Sequence, residues 1–199
     1  MSERRTFVTA EDWDGYAAAV PHSDAFFDAE PVQLARAEAI ARRATGTVLD
    51  VGSAEGHVAE MMDGPVTLVD ISPVRVQKAR TAGRNAQVGD ATSLDFEDDS
   101  FDTVVLGEIL EHLDDPGQAL AEAFRVAKDR VVISLPLNGW EDISHQWRIS
   151  FDECLDLDQM GREPTKGHQI VLTFQRGACW PPRYWKDDES WKQQFEEGR

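Results

Sequence analysis

Short, strongly apolar runs recur along the chain with room for a helix between most of them. They are TVLDV ending at Val51, VTLVD ending at Asp70, AQVGD ending at Asp90, FDTVVLG ending at Gly107, RVVISLP ending at Pro136 and HQIVLTFQ ending at Gln175. A strand apolar at consecutive positions is buried on both faces, which marks a parallel sheet sandwiched by helices. The intervals supply those helices. Pro31 to about Thr45 keeps Leu34, Ala37 and Ile40 on one face before Gly46 stops it, Ala54 to Met62 ends near Gly64 and Pro65, Pro73 opens a third, and Pro116 to Ala127 forms a fourth. A further helix is expected near Phe151 to Met160. Strands alternating with helices over short loops imply right-handed crossovers and an α/β fold, a doubly wound, mostly parallel sheet.

A chain of 199 residues suits one such domain. Its expected divisions are an N-terminal flap at 1–30, the α/β domain at 31–176, and a tail at 177–199 carrying Trp180, Tyr184, Trp185 and Trp191. The 37 acidic against 20 basic side chains leave a formal charge of -17, which repels phosphate backbones and anionic headgroups and argues against nucleic acid and membrane partners. The abundance of Asp over Lys suits either a high-salt milieu or a GC-rich genome. Cys154 and Cys179 form no CxxC, so neither a zinc cluster nor a disulfide framework is signalled. The opening MSERRTFVTAEDWDG lacks the apolar run of a secretion signal, and a cytoplasmic protein is expected.

In doubly wound sheets, ligands bind beyond the carboxyl ends of the strands, so the turn after the first strand, VLDVGSAEGH, is the default site. A phosphate loop needs GxxxxGK[ST], and this turn has no Lys. A dinucleotide site wants GxGxxG, whereas here the glycines are Gly52 and Gly56, with Ala54 between them and His57 in the last place. What remains is a carboxylate, Asp50, two positions before a turn of small residues.

DVGSAEG resembles the first motif of the class I S-adenosylmethionine-dependent methyltransferases, [DE]xGxGxG, with Ala54 where glycine is usual. The likeness continues in order: Asp70 closes VTLVDIS, Asp90 closes the third run in GDA, and LGEILEHLDDP follows the fourth. It covers Ala44 to Pro136 and points to the type 11, UbiE/UbiG-like branch with its Rossmann-like fold. The resemblance implies S-adenosyl-L-methionine as cofactor and S-adenosyl-L-homocysteine as product. It places the cofactor against Asp50, Gly52, Ser53, Gly56, Asp70, Ile71, Asp90, Ala91 and Glu108, with Tyr16 or Trp13 of the flap near the methionine end. Asp50 would receive the ammonium, backbone N–H groups the carboxylate, Asp70 the ribose hydroxyls and Asp90 the adenine amino group. Each Asp also suits a cap or turn when taken alone.

Methyl transfer from a sulfonium requires alignment and exclusion of water, and a base helps when the acceptor is an oxygen of high pKa. His112 is the first candidate, with Glu108 four positions earlier on an expected helical turn; His145 is the second. The expected activity is methyl transfer to O or N of a small-molecule acceptor. The alternatives are a cofactor-binding regulatory protein, or a metal-assisted 2'-O-type enzyme in which Glu108, Glu111, His112 and His145 hold a divalent ion. Metal is the disfavoured option, and a homodimer is left open. Only HQIVLTFQ follows the fifth strand, so the usual terminal antiparallel hairpin is expected to be shortened or replaced, leaving a shallow acceptor pocket.

Overall fold

The computed structural model describes residues 9–19, 31–136, 162–165 and 169–175. The helices are α1 (Ala10–Ala19), α2 (Pro31–Ala41), α3 (Pro73–Thr81) and α4 (Pro116–Val126). The strands are β1 (Val48–Val51), β2 (Val66–Asp70), β3 (Ala86–Val88), β4 (Phe101–Gly107), β5 (Ala127–Pro136), β6 (Arg162–Thr165) and β7 (Gln169–Gln175). They form one sheet in the order β3-β2-β1-β4-β5-β7-β6. The first five are mutually parallel, while β7 runs antiparallel to β5 and β6 antiparallel to β7.

The consecutive apolar positions are buried because side chains alternate between two covered faces. Leu49, Val51, Val104, Leu106, Val131 and Ile133 pack with Ala119, Leu120, Ala123 and Val126 of α4. Val48, Val105 and Val132 meet Ala39 and Ile40 of α2, and Leu68 meets Val76 and Ala79 of α3. The helices start where capping chemistry dictates. Asp115 Oδ1 accepts the Gln118 N–H (2.9 Å) ahead of Pro116, and Ser72 Oγ accepts the Arg75 N–H (3.1 Å) ahead of Pro73.

Three expectations need correction. The helix expected over Ala54 to Met62 is a single 3₁₀ turn at Val58–Met61. Gly52, Ala54 and Gly56 all have positive φ (71°, 51° and 86°), so the chain turns as far as Gly56 and leaves too few residues before β2 for a longer helix. α2 ends at Ala41, short of Thr45, with Gly46 at φ 74°. The terminal hairpin is present. Its outer strand, REPT, escaped notice because it has no β-branched run and contains Pro164, which an edge strand tolerates. The expected helix at 151–160, His145, both cysteines and the tail at 177–199 lie outside the described residues.

Strand order reverses between β1 and β4, and this opens a crevice beyond Val51 and Gly107. The loop that follows β3 is fixed from below by Arg125. Its guanidinium donates to the carbonyls of Leu94 (2.9 Å) and Phe96 (2.7 Å), to Asp98 (2.9 Å) and to Glu122 (2.8 Å). That pairing holds the Glu122 carboxyl below its usual range.

Candidate active site

The glycine turn is bent back onto β2 by its own amides. The Gly52 and Ser53 N–H groups both donate to the Val69 carbonyl (2.8 and 3.2 Å), and the Ala54 N–H donates to Asp70 Oδ2 (2.8 Å). These three donors therefore serve the fold. Ala54 sits in the left-handed region at φ 51°, where a side chain costs about 1 kcal/mol. Ala54→Gly is expected to stabilise the protein by roughly 0.5 kcal/mol after the added chain entropy of glycine is subtracted. Thermal unfolding checks this, and a lower midpoint would show that the methyl makes a compensating contact.

Asp50 lies on the α2 face of β1, paired in register with Leu68 and Val105, and is 4% exposed. Burial pushes its carboxyl up to about 7; repulsion by Asp70 adds to the rise, and the Arg36 guanidinium opposes it. Burial raises Asp70 as well, against the backbone bonds from Ser72 and Ala54 and the charge of Arg75. Two buried acids thus face one another at the mouth of the turn.

Arg36 is the residue that sequence reasoning missed. It is buried on α2, its Nη1 lies 3.4 Å from Glu108 Oε2, and its Nε has no hydrogen-bond partner among the described residues. The signal was present: in PVQLARAEAIA, Arg36 falls four residues before Ile40, on the face that packs inward. Glu108 is held from two sides, since its Oε1 accepts from Ser134 Oγ (3.0 Å) and its N–H donates to the Ser134 carbonyl (3.1 Å).

Glu108 has φ 53°, Ile109 is non-helical, and only Leu110–His112 forms a 3₁₀ turn. The expected helical stacking of Glu108 and His112 is thereby corrected: a left-handed residue breaks the i, i+4 geometry. His112 instead meets α1. Its ring stands edge-on to Trp13, with centroids 5.1 Å apart, and its Nε2 is 3.9 Å from Oε1 of the buried Glu111. Tyr16 falls on α1 one turn beyond Trp13, and its side chain lies outside the described residues.

Asp90 is exposed, and its Oδ1 accepts both the N–H and Oγ of Thr92 (2.8 and 2.7 Å), a turn-forming role. Ala91 is buried beside it and Ile71 half-buried after Asp70. Among the described residues no group of three or more His, Cys, Asp or Glu could hold a metal ion. No helix there is long and apolar enough to cross a membrane.

The donor set suits a zwitterionic ligand with a ribose. A buried carboxylate at Asp50 answers a cation, the Nε of Arg36 answers a carboxylate, and Asp70 follows β2 where hydroxyls can reach it.

Residues 49–135 match the family described as Methyltransferase domain. The ubiquinone/menaquinone biosynthesis C-methyltransferase UbiE of Desulfotalea psychrophila is 37% identical over 92 residues, covering 42% of this chain and 37% of that protein. The chloroplastic 2-methyl-6-phytyl-1,4-hydroquinone methyltransferase 1 of Oryza sativa is 37% identical over 90 residues, covering 41% of this chain and 27% of the rice protein. The matched stretch thus spans well under half the length of either relative. A solved SAM-dependent methyltransferase from Thermotoga maritima shares the fold, with a TM-score of 0.67 at 18% identity over 82% of this chain and 99% of its own. Residues 49–135 thus match a methyltransferase domain, within a sheet that follows the fold of a solved SAM-dependent methyltransferase.

Proposed function

We propose that the chain binds S-adenosylmethionine in the crevice between β1 and β4 and methylates a small molecule bearing a hydroxylated aromatic ring. Either the oxygen or a ring carbon activated by it would receive the methyl. The observation that carries this reading is the pairing of His112 with Trp13 at the crevice, an imidazole beside a flat apolar wall.

When bound, the cofactor supplies an electrophilic methyl group on a sulfonium. The chain's part is to hold and to deprotonate. Arg36 and Asp50 hold the amino-acid end, Asp70 takes the ribose hydroxyls, and Asp90 with Ala91 borders the adenine. His112 accepts the acceptor's phenolic proton on its imidazole, whose Nε2 lies 3.9 Å from Oε1 of the buried Glu111. Losing that proton makes both the phenolic oxygen and its ortho carbon electron-rich, so one base serves both transfers; in C-transfer the ring C–H proton then passes to water and the imidazolium returns its proton to the oxygen. The C-methyltransferase named among the relatives is in keeping with this chemistry.

The test is transfer of labelled methyl to a panel of catechols and hydroquinones. His112→Gln is expected to lower kcat by roughly 10²–10³-fold and to flatten the acid limb of the pH profile, with cofactor affinity unchanged. Full activity in that variant would remove the base. Tight cofactor binding with no acceptor methylated would favour a cofactor-binding regulatory protein instead.

A further inference from the structure

α1 touches both walls of the crevice. Trp13 meets His112, which follows β4, and the next residue, Asp14, accepts a hydrogen bond from Ser72 Oγ at the entry to α3, beyond β2. Successive residues of a helix project about 100° apart, so a short helix reaches two walls at once only by lying across what separates them. What separates them is the end of β1, with Gly52 and the turn; the gap is two strand spacings, roughly 10 Å. α1 is a strap across the site.

The fastening on the β2 side is tied to the cofactor residues. Ser72 is fully buried. Its N–H donates to Asp70 Oδ1 (2.9 Å), and its Oγ accepts the Arg75 N–H (3.1 Å), so its single hydroxyl proton goes to Asp14. The same contact adds the Asp14 carboxylate to those of Asp50, Asp70 and the Arg36-paired Glu108. Asp14 repels Asp70, and Asp70 repels Asp50. The guanidinium charges of Arg75 and Arg36 act on Asp70 and Asp50 respectively, and Nη2 of the buried Arg75 has no hydrogen-bond partner among the described residues.

Closing α1 over an empty crevice therefore adds negative charge to negative charge in a buried setting. A cation between the walls reverses the sign of that contribution. S-adenosylmethionine, with its ammonium, sulfonium and carboxylate, carries one net positive charge; S-adenosylhomocysteine carries none.

We propose that α1 is a charge-reading strap: Asp14 fastens it to Ser72 and makes closure depend on the positive charge of the ligand, so the cofactor is held and the demethylated product is let go. The proposal rests on placing the cofactor in this crevice. It makes Asp14 a positioning residue and gives product release a driving force that arises from the reaction itself.

Titration calorimetry of the full chain with S-adenosylmethionine and S-adenosylhomocysteine tests it, alongside Asp14→Asn and Trp13→Ala. The unaltered protein is expected to prefer the charged ligand by about five-fold or more, as one charge at this range in a partly buried site allows. Asp14→Asn should lose most of that preference, with S-adenosylmethionine weakened and S-adenosylhomocysteine within two-fold of its original affinity. Trp13→Ala opens the other fastening without touching charge, and should weaken both ligands by the same factor. An unchanged preference in Asp14→Asn, or equal loss of both ligands, would overturn the charge-reading strap. Failure of both ligands to bind the unaltered protein is a different result, and would overturn the placement of the cofactor along with the strap.

Discussion

Asp50→Asn is expected to raise the melting temperature of the ligand-free protein at pH 8 while removing most of its affinity for S-adenosylmethionine. Asp50 is buried among apolar strand residues and repelled by Asp70, and its carboxyl is pushed up from 3.8 to about 7. An acid with a folded pKa above its unfolded one binds its proton more tightly when folded. Between about pH 4 and 7 the folded state then holds more protons than the unfolded chain, and stability falls as pH rises through that window. Above pH 7 the penalty is nearly complete, on the order of 4 kcal/mol. The carboxamide never ionises, so the gain should reach several degrees at pH 8 and vanish near pH 4. Scanning calorimetry at the two pH values checks it, and a gain of the same size at both would show that charge is not the cause. The same burial that destabilises the empty protein makes Asp50 a strong partner for a cation, so binding near pH 6.5 should release protons. Titrations in buffers of different ionisation enthalpy would detect them.

Gly52→Ala is the second large effect. A Cβ at this position would come within 2.3 Å of Ile109 Cδ1 and 2.9 Å of its Cγ1, and the backbone already stands at φ 71°. The left-handed conformation costs about 1–2 kcal/mol for any side chain, and displacing Ile109 adds a comparable overpacking cost. The expected loss is on the order of 3 kcal/mol by denaturant unfolding. Ile109 lies between Glu108 and the turn that carries His112, so cofactor affinity should drop with it. Pairing Gly52→Ala with Ile109→Ala separates the two contributions: the double variant should recover the steric part and keep the backbone part. Simple additivity of the two losses would show that the methyl and Ile109 do not collide.

Continuous apolar runs made the five parallel strands legible, because burial on both faces leaves no polar alternation to confuse with a helix. The carboxylates at the ends of β1 and β2 were legible for the same reason: Asp50 and Asp70 are charges at the edge of apolar segments, and both lie in the crevice. The edge strand Arg162–Thr165 was hidden, since an edge position relaxes the demand for β-branched residues and admits Pro164. Backbone conformation was hidden too. Nothing in GEILEH announces that Glu108 turns left-handed, because the cause lies in Ser134 on a neighbouring strand and Arg36 on a distant helix. The two fastenings of α1 are likewise unreadable from local pattern, as they join residues far apart in the chain.

The placement of β1 between β2 and β4 also has a bearing on how the protein is made. Its pairing with β2 closes a short stretch of chain, whereas its other edge waits for residues 55 positions later, as in the bond from Thr47 Oγ1 to Asp102 Oδ2. Long-range pairings are the slow ones. On the ribosome, where the chain emerges from its N-terminus, a nascent chain shorter than about Gly107 owns Asp50 and Asp70 but not the opposite wall. The cofactor should therefore be unable to assist the early stages of synthesis and should act only as a late clamp, once β4 has slid in beside β1.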